Sequence, residues 1–336
     1  MNEIRKVKFL DLSISDQEEI NSMKTVLERC LDHGQLVMGR EINNLEGALA
    51  EYVGRKKCVS VSSGTDAVYL ALRAIDIGKG DEVITTPLSW IATTNAISML
   101  GAEPVFCDIK DDLNIDPASI EKLITTKTKA ILTVDYTGNM ANYDEIKKLA
   151  NKYGLKLVED GSQSFGASFS GIKCGGHGLI SAVSHNPMKI FGALGECGSI
   201  FTDDELIAEK VEILRYNGMV NKEYLKYPSL NFRADALQAA FLVEKLKFLP
   251  QKLQRRQEIA DRYTKSLKNY CETPTKTPNS ERVFYTYTIK VDKRDELSNY
   301  LIQKGIENKI QHPLLMSEQE PYKRCVSYTP NATKIV

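Results

Sequence analysis

Apolar positions recur at helical spacing through the first fifty residues of this 336-residue chain. In residues 16–33 and 40–53 they fall three or four positions apart, which predicts two amphipathic helices. Farther along, short apolar runs alternate with longer stretches of helical spacing. These predict strands at residues 58–61, 82–85, 104–108, 130–134 and 155–159, and helices at residues 65–77, 89–100, 118–124 and 143–153.

The alternation of strands and helices with short connections predicts an α/β fold, with a mainly parallel central sheet covered by helices on both faces. Pro250 separates two further predicted helices, residues 234–249 and 251–267, and we expect a domain boundary there. Residues 1–249 then form an N-terminal segment and a large domain, and residues 250–336 form a smaller α+β domain. In the smaller domain the pattern predicts a βαβ unit, with strand 283–291, helix 294–304 and strand 306–311.

Composition narrows the classes of partner. Lysine plus arginine and aspartate plus glutamate number 44 each, so the basic excess that accompanies nucleic-acid or anionic-membrane binding is missing. Residues 1–13 contain no apolar run of signal-peptide length, and the uncharged stretch 83–102 is too rich in Thr, Ser, Asn and Pro for a membrane span. Seven cysteines without CxxC spacing indicate reduced thiols, and four scattered histidines predict no metal site. We therefore expect a cytoplasmic protein with no nucleic-acid, membrane or metal partner.

Lys189 is the single charged residue of a long uncharged segment. Seven uncharged residues precede it and six follow it. In such a setting desolvation disfavours the ammonium form and leaves a nitrogen that can form a Schiff base. The alternative is a lysine that simply reaches solvent.

Asp160 lies in a second informative segment. The apolar residues before it predict a buried strand, and Glu159 and Asp160 stand at its carboxyl end, where open α/β sheets bind ligands. A carboxylate there can keep the pyridine nitrogen of a cofactor protonated, while a lysine carries the cofactor's aldehyde as an imine. Lys189 and Asp160 together form the minimal site for pyridoxal 5'-phosphate (PLP).

Six segments follow one another along the chain: SSGTDAV from Ser62, GDEVITTPLSWIATTNAI from Gly80, GAEPVFCDI from Gly101, VEDGSQSFGA from Val158, SHNPMK from Ser184 and LNFRADALQAA from Leu230. Together they resemble the DegT/StrS family of fold-type I, PLP-dependent sugar aminotransferases, from about Phe9 to near the end of the chain. The resemblance implies amino transfer from L-glutamate to a nucleotide-linked keto-sugar in amino-sugar and surface-polysaccharide biosynthesis. It makes Lys189 the Schiff-base residue and general base, and Asp160 the partner of the ring nitrogen.

The remaining cofactor contacts come from the same resemblance. Ser63, Gly64 and Thr65 precede a predicted helix whose N-terminus favours the cofactor phosphate; a plain serine N-cap is the alternative. Ser184 matches a serine whose hydroxyl reaches the same phosphate. Asn231 matches an asparagine that reaches the phosphate of a neighbouring subunit, which implies a homodimer with shared sites; by default it would be an N-cap or turn residue.

The ring contacts and the departures from the family pattern concern the substrate side. Trp90 matches an aromatic residue stacked on the pyridine ring, with ordinary core packing as the alternative, and Gln163 matches an amide near the cofactor's 3-oxygen. His185 and Asn186 follow Ser184 where the family has an aromatic residue and often His or Tyr, so we expect unusual residues near the lysine. The GALGECG segment at residues 192–198 looks more like the subgroup that acts on 3-keto sugars than the one that acts on 4-keto sugars; a neutral variation of Glu196-Cys197 in a tight turn is the alternative.

Two other functions stay open. One is an aminotransferase for a smaller phosphorylated ketone, because nothing in the residues identifies a nucleotide-binding pocket. The other is a non-catalytic regulatory protein of the same fold, against which the presence of Lys189 argues. The family continues beyond the position of Val336, so we also expect the end of the smaller domain to be missing.

Overall fold

The computed structural model describes residues 6–336. The helices in this range are α1 Gln17–His33, α2 Arg40–Val53, α3 Gly64–Ala74, α4 Ile91–Met99, α5 Pro117–Ile120, α6 Tyr143–Tyr153, α7 Glu205–Arg215, α8 Ala236–Leu267, α9 Arg294–Gln303 and α10 Pro330–Ile335. The strands are β1 Lys57–Val61, β2 Glu82–Thr85, β3 Glu103–Cys107, β4 Thr128–Val134, β5 Lys156–Asp160, β6 Ser168–Phe169, β7 Ile172–Lys173, β8 Ile180–Ser184, β9 Gly198–Thr202, β10 Met219–Val220, β11 Tyr224–Leu225, β12 Ser280–Glu281 and β13 Ser327–Tyr328.

Eight strands form the central sheet, in the order β1, β9, β8, β5, β4, β2, β3, β13. Six strands are parallel to one another: β8, β5, β4, β2, β3 and β13. Strand β9 runs antiparallel to both of its neighbours, β1 and β8. Neighbouring strand residues point to opposite faces. Val158 accordingly packs in a core with α3 and α7, while Leu157 packs in a second core with α5 and α6. The predicted α/β architecture with helices on both faces is confirmed.

The elements predicted up to residue 159 agree closely with the structure. Helix α1 begins one residue late, because the Asp16 side chain accepts hydrogen bonds from the backbone of Glu18 and Glu19 and so forms its N-cap. Helix α2 has the predicted bounds. The five predicted strands and the four helices between them are all present, with ends shifted by a few residues.

Pro250 does not divide two helices, so that prediction was wrong. Helix α8 runs without interruption from Ala236 to Leu267, with Pro250 inside it. Proline removes one backbone donor and weakens a helix. Here Leu249 is buried, and Leu246 and Leu253 pack against the same core, so tertiary contacts on both sides of Pro250 hold the helix together. The division of the chain at residues 249 and 250 stays a prediction.

The βαβ unit predicted after α8 was also wrong in its strands. Phe284 adopts a left-handed conformation, with φ 50°, which interrupts extended backbone at the start of the predicted strand 283–291. Within residues 6–336, Lys290 makes only an isolated bridge to Glu272, and Ile306 makes only one to Val7. The helix between the two predicted strands is present as α9.

The uncharged stretch 83–102 contains β2 and α4, as its polar content indicated. Among the helices of residues 6–336, none combines the length and the apolar character that crossing a membrane requires. The N-terminal residues 1–5 of the segment that was searched for a signal peptide lie outside the described residues.

Candidate active site

Lys189 lies in the loop that connects β8 to β9. His185 N donates to Cys197 O at 2.8 Å and closes the base of this loop. Lys189 N donates to Asn186 O at 2.8 Å, which makes a tight turn just before the lysine side chain. A Cβ at Gly192 would lie 2.7 Å from Asn186 O, so only glycine fits that close approach. The loop therefore presents Lys189 from a compact, hydrogen-bonded base.

The Lys189 amine is half-buried and close to an aromatic ring. Its Nζ lies 5.0 Å from the centroid of the Tyr285 ring and forms no hydrogen bond or ion pair with any residue of the described range 6–336. Burial lowers the pKa of Lys189, and the charges of Asp160 and Glu196 oppose that shift. Lys189 is therefore not an ordinary solvent-facing lysine, because its amine is desolvated and unpaired.

Asp160 ends β5, which lies between the parallel strands β8 and β4, and is buried. Its Oδ2 accepts a hydrogen bond from Thr93 Oγ1 at 3.0 Å, and its Oδ1 accepts one from Ser162 N at 3.1 Å. Both donors are neutral, and the carboxylate has further acceptor sites. Since Asp160 acts on the pKa of Lys189, the two groups predicted as the minimal PLP site share one region of the molecule.

The predicted phosphate-binding residues meet at the N-terminus of α3. Ser63 is the N-cap of this helix, so the plain N-cap described by the alternative is present. The Ser63 hydroxyl also donates to Asp66 at 2.7 Å, which occupies the side chain. The first backbone N–H groups of a helix lack intrahelical partners, and those of Gly64 and Thr65 have none elsewhere in residues 6–336. The backbone, rather than the serine side chain, offers free donors to an anion.

Gly64 packs directly against Ser184 at the end of β8. A Cβ at Gly64 would lie 2.3 Å from the Ser184 Cβ and 2.6 Å from its Oγ. A Cβ at Gly198 would similarly lie 2.3 Å from Ser63 O. The start of α3 can approach β8 and β9 this closely only because both positions are glycine. The structure thus brings Ser63, Gly64, Ser184 and the Lys189 loop together.

Trp90 and Gln163 belong to the two chain segments that hold the Asp160 carboxylate, because Thr93 and Ser162 of these segments donate to it. Trp90 is 58% exposed immediately before α4, so ordinary core packing does not account for it. Gln163 is buried, and its Oε1 accepts a hydrogen bond from Thr137 N at 2.9 Å. The exposed indole is therefore available as a flat apolar surface for a ligand.

Asn231 is exposed and is not the N-cap of α8, because Asp235 has that role. Its Oδ1 accepts from the Nε of Arg233 at 2.8 Å, which fits the alternative of a residue engaged within its own segment. The next residue, Phe232, accepts a hydrogen bond through its carbonyl from Ser62 N at 2.8 Å. This bond ties the Asn231 segment to the start of the loop at residues 62–65, which is predicted to bind the phosphate.

His185 does not line the substrate side, contrary to expectation. It is fully buried, with Nδ1 3.1 Å from Phe191 O and Nε2 2.9 Å from Ser199 Oγ. Burial lowers the pKa of His185 to about 4, so the ring is neutral at physiological pH. Asn186 turns instead toward Glu196, with Nδ2 donating at 2.5 Å. The β8–β9 loop uses both residues for its own support.

Three aromatic residues near Lys189 had no sequence motif to mark them. Tyr285 contacts the amine, and the Tyr136 hydroxyl lies 2.7 Å from His312 Nδ1 although the two residues are 176 positions apart. Burial is the main cause that lowers the pKa of His312 to about 4, and the positive charges of Lys309 and then Lys189 contribute. Only the fold brings these residues together, since they come from the turn after β4 and from the chain beyond α8.

Known proteins have sequences similar to this chain. The "UDP-2-acetamido-2-deoxy-3-oxo-D-glucuronate aminotransferase" of Pseudomonas aeruginosa is 35% identical over 93% of this chain and 88% of its own length. The "3-oxo-glucose-6-phosphate:glutamate aminotransferase" of Bacillus subtilis is 32% identical over 95% of this chain and 74% of its own length. Both are relatives to which this chain is similar.

A solved structure has the same fold. The crystal structure of Streptomyces venezuelae DesV in complex with a ketimine intermediate superposes with a TM-score of 0.94 at 33% identity, covering 98% of this chain and 90% of that one. The family model of the DegT/DnrJ/EryC1/StrS aminotransferases matches residues 16–336. The chain therefore belongs to the DegT/DnrJ/EryC1/StrS aminotransferase family and is a PLP-dependent aminotransferase of fold type I.

Proposed function

We propose that Lys189 binds PLP covalently, that Asp160 partners the ring nitrogen, and that the enzyme aminates a keto-sugar. The observation that carries this proposal is the half-buried Lys189 amine, unpaired within residues 6–336 and near the buried Asp160 carboxylate. The residues present fit the cofactor, because a free amine, a carboxylate with spare acceptor sites and unpaired N–H donors share one region. Bound PLP supplies an electron sink for negative charge at the carbon that bears the amino group.

The two charged residues divide the chemistry between them. The lowered pKa of Lys189 favours the neutral amine, whose lone pair would form the imine with the cofactor's aldehyde as water is released. Once displaced by an amino donor, Nζ would be a free amine that accepts the proton of the donor's α-carbon and delivers it to the cofactor carbon that had held the imine, and the transfer would run in reverse on the keto acceptor. Asp160, held by Thr93 and Ser162, accepts a hydrogen bond from the protonated ring nitrogen.

The other predicted residues hold the cofactor in place. Backbone N–H groups of Gly64 and Thr65, at the start of the helix that Ser63 caps, are free to bind the phosphate, and the Ser184 hydroxyl is packed beside them. The exposed indole of Trp90 provides a flat apolar surface for the pyridine ring. Gln163 provides an amide for the cofactor's 3-oxygen.

The acceptor is a 3-oxo sugar and the donor is L-glutamate. Two observations support this class: both relatives named above carry a 3-oxo sugar in their names, and the Bacillus subtilis relative is named for glutamate. The segment 192–198 gave the same indication from the sequence. We propose a nucleotide-linked sugar in amino-sugar and surface-polysaccharide biosynthesis. A phosphorylated 3-oxo sugar without a nucleotide is the second candidate, favoured by the Bacillus subtilis name.

The working enzyme is a homodimer in the cytoplasm. Asn231 is exposed and tied to the start of the phosphate-binding loop, so a second chain packed on that loop could receive its side chain. The cytoplasmic location is supported by the seven cysteines, all of which are free thiols and five of which are buried.

The cofactor linkage is tested with purified protein. It is expected to absorb in the visible, to lose that band on borohydride treatment and to retain reduced cofactor on the peptide that contains Lys189. Lys189→Ala should abolish both the linkage and amino transfer. Lys245→Ala is the matched control: Lys245 is also half-buried, burial lowers its pKa to about 8, but its Nζ donates to Gly192 O. Label on Lys245 or any other lysine would contradict the assignment.

The acceptor class is tested separately with a panel. Nucleotide-linked 3-oxo and 4-oxo hexoses are compared with 3-oxo-hexose 6-phosphate, each with L-glutamate as donor. We expect the highest kcat/KM for a nucleotide-linked 3-oxo sugar. A preference for the sugar phosphate would select the second candidate, and a preference for 4-oxo sugars would reject the 3-oxo class.

A further inference from the structure

A turn at the end of β4 holds a threonine in a strained conformation. Thr137 has φ 58° and ψ 17°, in the left-handed region, where β-branched residues are rarely found. It is completely buried. Such conformations persist only where surrounding contacts impose them, and they cluster at functional sites. The contacts of Thr137 therefore indicate what the strain serves.

Thr137 fixes the orientation of the Gln163 side chain. Its backbone N–H donates to Gln163 Oε1 at 2.9 Å. An N–H group can only donate, so the amide oxygen of Gln163 must face Thr137 and the amide nitrogen must face the other way. Gln163 Nε2 makes no hydrogen bond within residues 6–336, and its two protons are thus available to an acceptor.

Arg282 holds Thr137 from the other side. Its Nη2 donates to Thr137 Oγ1 at 2.6 Å, and its Nη1 donates to Thr275 O at 3.0 Å. The guanidinium also lies 4.9 Å from the centroid of the Phe284 ring, and the residue is only 9% exposed. These contacts immobilise the arginine, so it can hold a strained partner.

The next residue locks the same turn to the same segment. Gly138 O accepts from Val283 N at 2.9 Å, and a Cβ at Gly138 would lie 2.5 Å from Tyr285 N. The chain around residues 282–285 therefore presses on this turn while Tyr285 contacts the Lys189 amine. One short segment reaches both sides of the site.

We propose that Thr137 and Arg282 are positioning residues that orient the Gln163 amide so that Nε2 donates to the cofactor's 3-oxygen. The proposal rests on the proposed role of Gln163. A donor at the 3-oxygen withdraws negative charge from that atom, so the oxygen holds the proton that it shares with Lys189 Nζ less tightly. When the turn relaxes, the donor is lost and the shared proton is retained to higher pH.

The test is a pH titration of the visible absorption of the PLP-loaded protein. Thr137→Val keeps the shape and β-branching but removes the hydroxyl that Arg282 holds. We expect the midpoint pH of the titration to rise by about half to one pH unit, which corresponds to the net free energy of one hydrogen bond. Thr137→Ser keeps the hydroxyl and should restore the wild-type midpoint. The charged and titratable groups around Lys189 are unchanged in both variants: Asp160, Glu196, Tyr285 and His312.

Three further variants distinguish a failure of the positioning role from a failure of the proposed contact between Gln163 and the cofactor. Arg282→Leu should raise the midpoint as Thr137→Val does, and the double variant should rise no further, because both act through one hydrogen bond. An unchanged midpoint in Thr137→Val, or additive shifts, would overturn the positioning role. Gln163→Leu must itself raise the midpoint; if it does not, the proposed contact of Gln163 with the 3-oxygen fails first. The Thr137→Ser result stands even where Arg282→Leu does not fold.

Discussion

Glu159 and Asp160 are neighbours at the carboxyl end of β5, yet their side chains enter different environments, because successive strand residues point to opposite faces. The Asp160 carboxylate accepts two hydrogen bonds and lies beside the Lys189 loop. The Glu159 side chain is fully buried, and its two oxygens accept four hydrogen bonds, from the backbone of Gly175, His177 and Gly178 and from the hydroxyl of Ser181. A carboxylate satisfied within the chain stabilises the fold, whereas one with spare acceptor sites at this edge can serve a ligand.

We expect the largest effect, a loss of turnover, from a substitution of Asp160. Asp160→Asn keeps the size of the side chain but removes the charge that favours a protonated ring nitrogen. Turnover should fall by roughly two orders of magnitude or more, as for other groups that hold a reacting proton, while the urea midpoint changes little. Thr93→Ser, which preserves the hydroxyl that donates to Asp160, is the control. Near-normal turnover of Asp160→Asn would make this carboxylate structural as well.

Glu159→Gln should give the opposite result. Both Glu159 oxygens accept from donors, so an amide nitrogen at either position would face an N–H or O–H group. We expect the free energy of unfolding to fall by about 2–4 kcal/mol, since bonds to a charged acceptor are lost in the interior. Turnover per folded molecule at low temperature should stay near wild type. A collapse of turnover without loss of stability would remove the distinction between the two carboxylates.

The sequence predicted the Asp160 side far better than the chain that covers it. Strand β5, its acidic end and the Lys189 loop are local patterns, so hydrophobic periodicity and short motifs could mark them. Tyr285 and His312 lie beyond α8, where Phe284 in the left-handed region breaks the predicted strand. A conformation that depends on tertiary contacts, such as the packing of Gly138 against Phe284 and Tyr285, leaves no periodic signal.

The role of Glu159 itself could not be predicted from its neighbours in sequence. Its partners come from the chain segment that follows β7 and from β8, and only sheet pairing places them at its oxygens. The pattern around Glu159 and Asp160 therefore predicted a carboxylate at the carboxyl end of a buried strand, which the structure has, but gave no means of telling which residue faced which side. His185 illustrates the same limit, because its burial follows from Phe191 and Ser199.

A smaller effect concerns the dependence of stability on pH, which we expect to reflect a proton on Asp135, the carboxyl group next to Glu159. Burial, followed by the charge of Glu159, raises the pKa of Asp135 well above its usual range. The folded protein thus binds a proton that the unfolded chain releases, so this contribution is present at low pH and is lost as pH rises toward the raised pKa. Asp135→Asn removes the titration. The wild type should lose stability relative to Asp135→Asn by up to about 1.4 kcal/mol per pH unit above pH ~4.

Urea unfolding of both proteins between pH 5 and pH 8 measures this difference. Tyr143→Phe is a suitable control, because it removes the hydroxyl that donates to Asp135 Oδ1 at 3.0 Å but leaves the titrating carboxyl in place. Its stability should be lower at every pH while the slope stays close to wild type. If the free energies of unfolding of wild type and Asp135→Asn change in parallel with pH, the buried carboxyl groups of Asp135 and Glu159 hold no extra proton.

The last prediction concerns Asn231, which we expect a second subunit to contribute to the site that contains Lys189. Lys189→Ala and Asn231→Asp should each be inactive alone, the second because a carboxylate would face the cofactor phosphate. In a mixed dimer, the Lys189→Ala chain lends its Asn231 to the site that holds the other chain's Lys189, so one good site forms. Random exchange makes half of the dimers mixed, and about a quarter of wild-type activity should return in a symmetric dimer with two sites. If mixed dimers are proven to form but activity does not return, Asn231 acts only within its own subunit, where it accepts a hydrogen bond from Arg233.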